Sequence, residues 1–136
     1  MDTKSPRVLV VDDDPNARML CSINLQLEGL EVLEAADGRR GLARARLESP
    51  DLVVTDVAMP GLNGFELAEA LRRDESTAQI PLIFLSGEPN ADYESRAHSL
   101  GALAYVSKPF DPPALAALVA GALARLETRE PLVPIS

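Results

Sequence analysis

The chain reads VLVVDDDP over residues 8–15 and LVVTDVAMPGLNG over residues 52–64. In both stretches a short apolar, β-branched run ends at aspartates, which is typical of a strand buried on both faces. A third run, PLIFL at residues 81–85, has the same character. Residues 32–33 and 104–106 are weaker candidates for two further strands. The sequence therefore predicts five strands.

Helical segments separate these strands. Their composition, mostly rich in Ala, Leu, Glu and Arg, predicts helices over residues 15–28, 38–48, 64–75, 90–100 and 112–127. A fivefold alternation of strand and helix predicts an α/β fold with a parallel sheet, helices on both faces and right-handed crossovers.

The first predicted helix has a wide apolar arc. Ala17, Leu20, Cys21 and Leu25 are spaced to share one face. Ile23 and Leu27 widen that apolar arc. We therefore expect this helix to offer surface to a partner as well as to the core.

Composition limits the classes of function. The 136 residues are enough for one domain, and 13 basic against 21 acidic residues give a net charge of −8. This charge argues against a large basic surface, so we expect no direct nucleic-acid contact and no membrane association. The single cysteine, Cys21, excludes an internal disulfide, and no apolar run approaches the length of a membrane span. A soluble, cytoplasmic protein is expected.

The domain boundaries follow from composition. Residues 1–6 are short and polar and are expected to be disordered, and residues 7–127 to form the folded domain. Residues 128–136, with Pro131 and Pro134, are expected to be a tail or a severed linker.

Polar residues follow four of the predicted strands. The aspartates at residues 12–14 follow the first strand, Asp56 closes the third, Ser86 the fourth, and Lys108 follows the fifth. Ligands of open parallel sheets bind outside the carboxyl ends of the strands. We therefore expect these side chains to meet at one edge.

Clustered carboxylates either take up a proton or recruit a cation, and an all-oxygen set suits Mg²⁺. Asp56 would then keep an oxygen free to attack phosphorus. Lys108 can neutralise charge on the phosphoryl group, and the Ser86 hydroxyl can hydrogen-bond to it. The residues predict a phosphoryl-transfer site.

Each motif alone has a simpler interpretation. Asp13 or Asp14 can cap the first helix, and Ser86 with Gly87 is ordinary turn chemistry. His98 is the single histidine of the chain, and a surface or packing role suits it. The position of these residues at strand ends, more than their type, favours the functional interpretation.

Four stretches together resemble the receiver domains of bacterial two-component response regulators, of the kind found in chemotaxis regulators. They are VLVVDDDP (residues 8–15), TDVAMPGLNG (55–64), LSG (85–87) and KPF (108–110). The resemblance extends over about residues 7–126. It implies a flavodoxin-like (βα)5 three-layer sandwich with strand order 2-1-3-4-5.

The resemblance also implies roles for particular residues. Asp56 would be the phosphoacceptor, beside Lys108 and an acidic pocket of Asp12 and Asp13. The Mg²⁺ ligands would be Asp13, Asp56 and the backbone carbonyl of Ala58, with Asp12 in the same metal pocket.

Two further residues would form the switch. Ser86 and Tyr105 fall at the hydroxyl and aromatic switch positions. On phosphorylation the hydroxyl would move toward the phosphate and the ring would turn inward. Ala58 and Glu88 occupy positions that tune dephosphorylation in this family, and Ala58 cannot position a water.

The implied partners are a histidine kinase or histidine phosphotransfer protein and a downstream protein or lost output domain, with a phosphorylation-dependent homodimer as a further candidate. The donor would dock near Asn16, Leu20, Pro109 and Phe110. The chain would be a switch and not an ordinary enzyme, with weak autophosphorylation from small donors and slow autodephosphorylation.

Two other classes of function compete with this interpretation. Asp12-x-Asp14 resembles the opening of haloacid-dehalogenase phosphatases, but that motif wants Thr or Val where this chain has Asn16, and no cap insertion is visible. A pseudo-receiver would bind proteins without taking phosphate, but neither the acceptor, the acidic pair nor the lysine is missing.

Overall fold

A computed structural model describes residues 5–88 and 90–129 of the chain. Its elements alternate as β1 (Arg7–Val11), α1 (Pro15–Leu27), β2 (Glu31–Ala35), α2 (Gly38–Glu48), β3 (Leu52–Asp56), α3 (Gly64–Arg73), β4 (Leu82–Ser86), α4 (Ala91–Ser99), β5 (Ala104–Ser107) and α5 (Pro112–Arg129). The predicted alternation is confirmed, with ends that shift by one or two residues for most elements. Of the two predicted terminal segments, residues 1–4 and 130–136 lie outside the described residues.

All five strands pair in parallel, in the order β2-β1-β3-β4-β5. The doubly wound fold and the strand order are therefore confirmed. Strand β2 lies on one side of β1, and β3 lies on the other side, so the direction in which strands are added to the sheet reverses at β1. This reversal is the topological switch point, and the crevice outside it is the usual binding place of such sheets.

The sheet separates two apolar layers. Alternate strand residues such as Leu9 and Phe84 pack with α2, α3 and α4, whereas Val10 and Leu85 pack with α1 and α5. Every residue of β3 and β4 is buried. This explains why their sequences are almost continuously apolar: strands covered by helices on both faces have no solvent side. No helix in residues 5–88 and 90–129 has the length and apolar character needed to cross a bilayer.

Side chains decide where two helices begin and end. Asp14 caps α1 by accepting a hydrogen bond from the Asn16 amide at 3.0 Å. The third helix ends at Arg73 and not at residue 75, because the Asp74 carboxylate accepts a hydrogen bond from the Ser76 amide at 3.0 Å. Local bonds of this kind compete with helix continuation.

The apolar arc of α1 is divided between core and solvent. Cys21 and Leu25 are buried, and Ser22 is buried with them. Leu20, expected on the same face as Cys21, is 47% exposed. It stands with Met19 and Ile23 on the outer side of the helix, so the core-facing part of the arc is narrower than the sequence predicted.

Candidate functional site

The polar residues at the strand ends meet at the carboxyl edge of the sheet. One carboxylate oxygen from each of Asp12, Asp13 and Asp56 lies within 4.8 Å of the others. Lys108 Nζ donates to Asp56 Oδ2 at 3.1 Å and lies 3.6 Å from Asp12 Oδ2. Residues separated by up to 96 positions are thus brought together because parallel strands present their carboxyl ends at one edge.

The three aspartates of residues 12–14 divide between two tasks. Asp12 is 1% exposed, and its Oδ1 accepts a hydrogen bond from the Asp14 amide at 3.0 Å. Asp13 is exposed and joins the cluster, whereas Asp14 caps α1. The capping interpretation is therefore correct for Asp14, while Asp12 and Asp13 lie with Asp56 in the carboxylate cluster.

The protein surroundings hold Asp56 in place. Its backbone carbonyl accepts a hydrogen bond from the buried Thr55 hydroxyl at 3.0 Å. Gly64, the first residue of α3, packs so closely that a Cβ there would collide with the Asp56 carbonyl and approach the Cα of Val57 to 2.9 Å. Gly61 in the intervening loop has a φ of 75°, which glycine adopts without strain. The sequence pattern did not indicate the contact of Gly64, because that contact involves the backbone of Asp56 and Val57.

Charge in the cluster is unbalanced. Burial raises the pKa of both Asp12 and Asp56 above the usual 3.8, against the lowering effect of Lys108. Burial by itself would lower the pKa of Lys108, but its hydrogen bond and attraction to Asp56 outweigh this, and the pKa is raised. Lys108 therefore stays charged while the surplus of carboxylates favours uptake of a cation or a proton.

An oxygen-only donor set of this kind fits Mg²⁺, which binds through few carboxylates and keeps several waters. Ala58, expected to contribute its carbonyl, is an exposed residue of the loop two positions after Asp56. The same loop borders a groove of about 490 Å³ against α4.

The two predicted switch residues, Ser86 and Tyr105, both hydrogen-bond to the backbone of Glu88. Ser86 is 2% exposed, and its Oγ accepts a hydrogen bond from the Glu88 amide at 3.0 Å. The Tyr105 hydroxyl donates to the Glu88 carbonyl at 3.0 Å. The backbone of Glu88 thus connects both side chains. No sequence signal marked this role, because it uses backbone atoms that every residue has.

Fold and site define a doubly wound α/β protein with an acidic, lysine-containing site at its topological switch point. Residues 8–120 match the family model described as the response regulator receiver domain. The chain belongs to this family.

Similar proteins support the same assignment. The DNA-binding dual master transcriptional regulator RpaA of Synechocystis is 39% identical over 122 residues, covering 90% of this chain and 51% of that protein. Protein PilH of Pseudomonas aeruginosa is 36% identical over 118 residues, covering 87% of this chain and 98% of that one. The solved structure of the chemotaxis protein CheY4 of Vibrio cholerae superposes with a TM-score of 0.80 at 34% identity, covering 85% of this chain and 97% of that one.

These relatives bear on two of the sequence predictions. The receiver-domain assignment replaces the phosphatase hypothesis. The chain spans about half the length of several curated relatives it matches, and some of those are DNA-binding regulators. The expected absence of nucleic-acid contact is therefore not confirmed.

Proposed function

We propose that the chain accepts a phosphoryl group on Asp56 from a phosphohistidine of a histidine kinase or histidine phosphotransfer protein, and that the phosphorylated form changes its protein contacts. One observation carries the proposal: the Asp56 carboxylate closes β3 with Lys108 Nζ at 3.1 Å and two further carboxylates beside it. Residues 7–127 would form this receiver domain, working in the cytoplasm.

The chemistry follows from the groups around Asp56. An Asp56 oxygen attacks phosphorus, an acyl phosphate bond forms, and the bond from phosphorus to the donor nitrogen breaks. Lys108 moves with its charge from the carboxylate to the phosphoryl oxygens, and the Ser86 hydroxyl donates to one of them. Water later hydrolyses the acyl phosphate slowly, so the chain acts as a switch and not as an ordinary enzyme.

Mg²⁺ would be held by Asp13, Asp56 and the Ala58 carbonyl, with Asp12 beside it. When bound, it neutralises the surplus carboxylate charge and that of the incoming phosphoryl oxygens. The unbalanced charge of the cluster supports this assignment.

The switch would operate through Glu88. When the Ser86 hydroxyl turns to the phosphoryl group, the Glu88 amide loses its acceptor. The loop between β4 and α4 then rearranges, and Tyr105 loses its bond to the Glu88 carbonyl and turns inward. The two negative charges added by phosphate bias a pre-existing two-state loop.

The donor would dock on the exposed side of α1 and the loop after β5. Leu20 and Ile23 are 47% and 45% exposed there, and Asn16 and Pro109 are exposed beside the phosphoacceptor edge. The output would be contact with a downstream protein or an output domain, with phosphorylation-dependent pairing of two copies as a further form and no direct nucleic-acid contact by the receiver domain itself.

Intact mass tests the acceptor. The full chain is incubated with acetyl phosphate and MgCl₂, and we expect the mass gain of one phosphoryl group in wild type and none in Asp56→Asn. Asp51→Asn, which changes an exposed carboxylate at the opposite edge, serves as the matched control and should be phosphorylated like wild type. A phosphoryl group that survives Asp56→Asn would assign the acceptor elsewhere.

Thermal unfolding tests the cation. MgCl₂ at about ten times its dissociation constant should stabilise the wild type by about 1.4 kcal/mol. Asp13→Asn should lose most of this gain, and NaCl at equal ionic strength should not produce it. Equal stabilisation of the wild type and Asp13→Asn by MgCl₂ would show that Asp13 is not a ligand of the cation.

A further inference from the structure

Helix α2 is basic in an acidic protein. It carries Arg39, Arg40, Arg44 and Arg46 and a single acidic residue, Glu48, while the chain has a net charge of −8. None of these arginines takes part in the phosphoacceptor cluster. Their concentration on one helix therefore calls for a separate explanation.

The buried side of α2 determines which residues face solvent. Gly38, Gly41 and Ala45 are buried, so the 100° turn per residue puts the opposite side of the helix outward. That outward side is an apolar ridge with two arginines along each flank, which we call the α2 face: Ala43 and Leu47, with Arg39 and Arg46 on one flank and Arg40 and Arg44 on the other. Leu47 is 82% exposed, a high value for a large apolar side chain.

The arginines differ in how firmly they are held. Arg44 donates to Glu48 Oε2 at 2.9 Å and to the Glu34 carbonyl at 3.0 Å, so its guanidinium is fixed. The Arg40 side chain is 74% exposed, and its guanidinium makes only a 3.7 Å ion pair with Asp37 among residues 5–88 and 90–129. Arg39 is exposed and has no hydrogen bond or ion pair within the described part of the chain. Arg46 is paired with Asp74 at 3.0 Å. Two guanidinium groups, those of Arg39 and Arg40, are thus available to an incoming ligand beside two that are already held.

A groove runs along one flank of the α2 face. It has a volume of about 530 Å³ and lies between α2 and the end of β2, and its lining includes Arg40, Arg44, Ala35 and Leu47, together with Arg18 and Glu34, which pair with each other at 3.0 Å. A groove lined by apolar side chains and by arginines fits an apolar side chain that has carboxylates on either side. Arginine forks suit carboxylates because they can bind both oxygens at once.

Two other anionic surfaces fit less well. A single exposed leucine offers little apolar area to a bilayer, and stable attachment needs a larger buried area or several signals. The negative charge of the whole chain repels extended polyanions such as nucleic acid. A short acidic segment escapes most of that repulsion because salt screens charges beyond about 10 Å.

We propose that the α2 face docks an acidic amphipathic segment of a partner protein. Its apolar side chain packs against Ala43 and Leu47, and its carboxylates pair with Arg39 and Arg40. This contact is separate from phosphoacceptance and persists in Asp56→Asn.

Fluorescence anisotropy tests the proposal with a labelled synthetic helix in which a row of leucines is flanked by glutamates. The double variant Arg39→Gln/Arg40→Gln should bind this probe about fivefold to tenfold more weakly than wild type, as expected for losing two exposed charge pairs. Leu47→Ala should weaken binding as well. A probe with glutamine in place of every glutamate should bind no better to wild type than to the double variant.

Matched substitutions elsewhere separate the α2 face from general attraction. Arg73→Gln removes an exposed arginine of α3, and Leu27→Ala removes a leucine that is 79% exposed on α1. Both should leave the affinity unchanged. Equal weakening by these controls, no binding of the acidic probe, or stronger Arg39- and Arg40-dependent binding to phosphatidylglycerol vesicles or duplex DNA would each overturn the proposal.

Discussion

The two edges of the sheet treat charge in opposite ways. At the amino edge, Glu48 pairs with two guanidinium groups, Arg7 at 3.3 Å and Arg44 at 2.9 Å, and the Arg7 amide donates to Asp51 at 2.8 Å, so that two cations accompany two carboxylates. At the carboxyl edge, the cluster of Asp12, Asp13 and Asp56 is accompanied by one ammonium, that of Lys108, which pairs with Asp56 at 3.1 Å and with Asp12 at 3.6 Å. Positive and negative charges are balanced at the amino edge, where they only stabilise the fold. Negative charge is in surplus at the carboxyl edge, where a ligand is expected, as is typical of functional sites.

Cavity volume does not distinguish the edges in this way. The amino edge borders a cavity of about 1180 Å³, lined by residues that include Leu30, Pro81 and Leu123. The carboxylate cluster lies at the other edge. In this fold the electrostatic imbalance at the strand ends is therefore a better guide to the site than hollow space.

Removal of the ammonium at the carboxyl edge should have the largest effect. Lys108→Met takes away the cation that faces Asp56, so phosphorylation by acetyl phosphate should slow by about a hundredfold. The rate is followed by intact mass over time. Arg73→Met, which removes an exposed cation of α3, should react like wild type. Equal rates for Lys108→Met and wild type would abolish the proposed difference between the edges.

The close approach at Asp56 should have the next largest effect. A methyl group at Gly64 has no room beside the backbone of Asp56 and Val57, so Gly64→Ala should lower the free energy of unfolding by about 2 kcal/mol. Urea unfolding measures it. Gly121→Ala in α5 is the control, since only the Arg125 side chain lies near, at 3.8 Å, and alanine favours the helix. Unchanged stability in Gly64→Ala would mean that the start of α3 can move.

Relief of the surplus charge should stabilise the fold. Burial raises the pKa of Asp12 and Asp56 above 3.8. At a pH between 3.8 and the raised pKa, the folded state therefore binds more protons than the unfolded state. Stability from these groups is therefore fully present below pH 3.8 and falls as pH rises through the raised pKa. Asp12→Asn should gain about 1 kcal/mol at neutral pH without Mg²⁺ and lose part of this pH dependence.

Urea unfolding from pH 4 to pH 7 measures that gain, with Glu75→Gln as the control because Glu75 is an exposed carboxylate outside the cluster. A destabilised Asp12→Asn would mean that Lys108 fully compensates the cluster.

The smallest effect is expected at the amino edge. Asp51→Asn keeps an acceptor for the Arg7 amide and removes one exposed charge, so the free energy of unfolding should change by about 0.5 kcal/mol or less. The change should shrink in high salt. A gain as large as that of Asp12→Asn would show that the two edges do not differ in charge balance.

The sequence alone determined the strands, their parallel arrangement and the edge of the sheet at which the carboxylates and Lys108 cluster. Strands buried on both faces are continuously apolar, so the first polar residues after them mark the strand ends. Asp56, Ser86 and Lys108 could be assigned to one edge for this reason. The strand order came from resemblance to a family and not from periodicity, since periodicity does not specify which strands are neighbours.

Only the tertiary structure decided how neighbouring residues divide their work. Asp12 and Asp14 are chemically alike in the sequence, but one is buried in the cluster and the other caps α1. The Tyr105 hydroxyl donates a hydrogen bond to the backbone carbonyl of Glu88, which lies 17 positions earlier in the chain. Burial, pKa and contacts of this kind depend on what other segments bring near a residue, and local patterns carry no record of that.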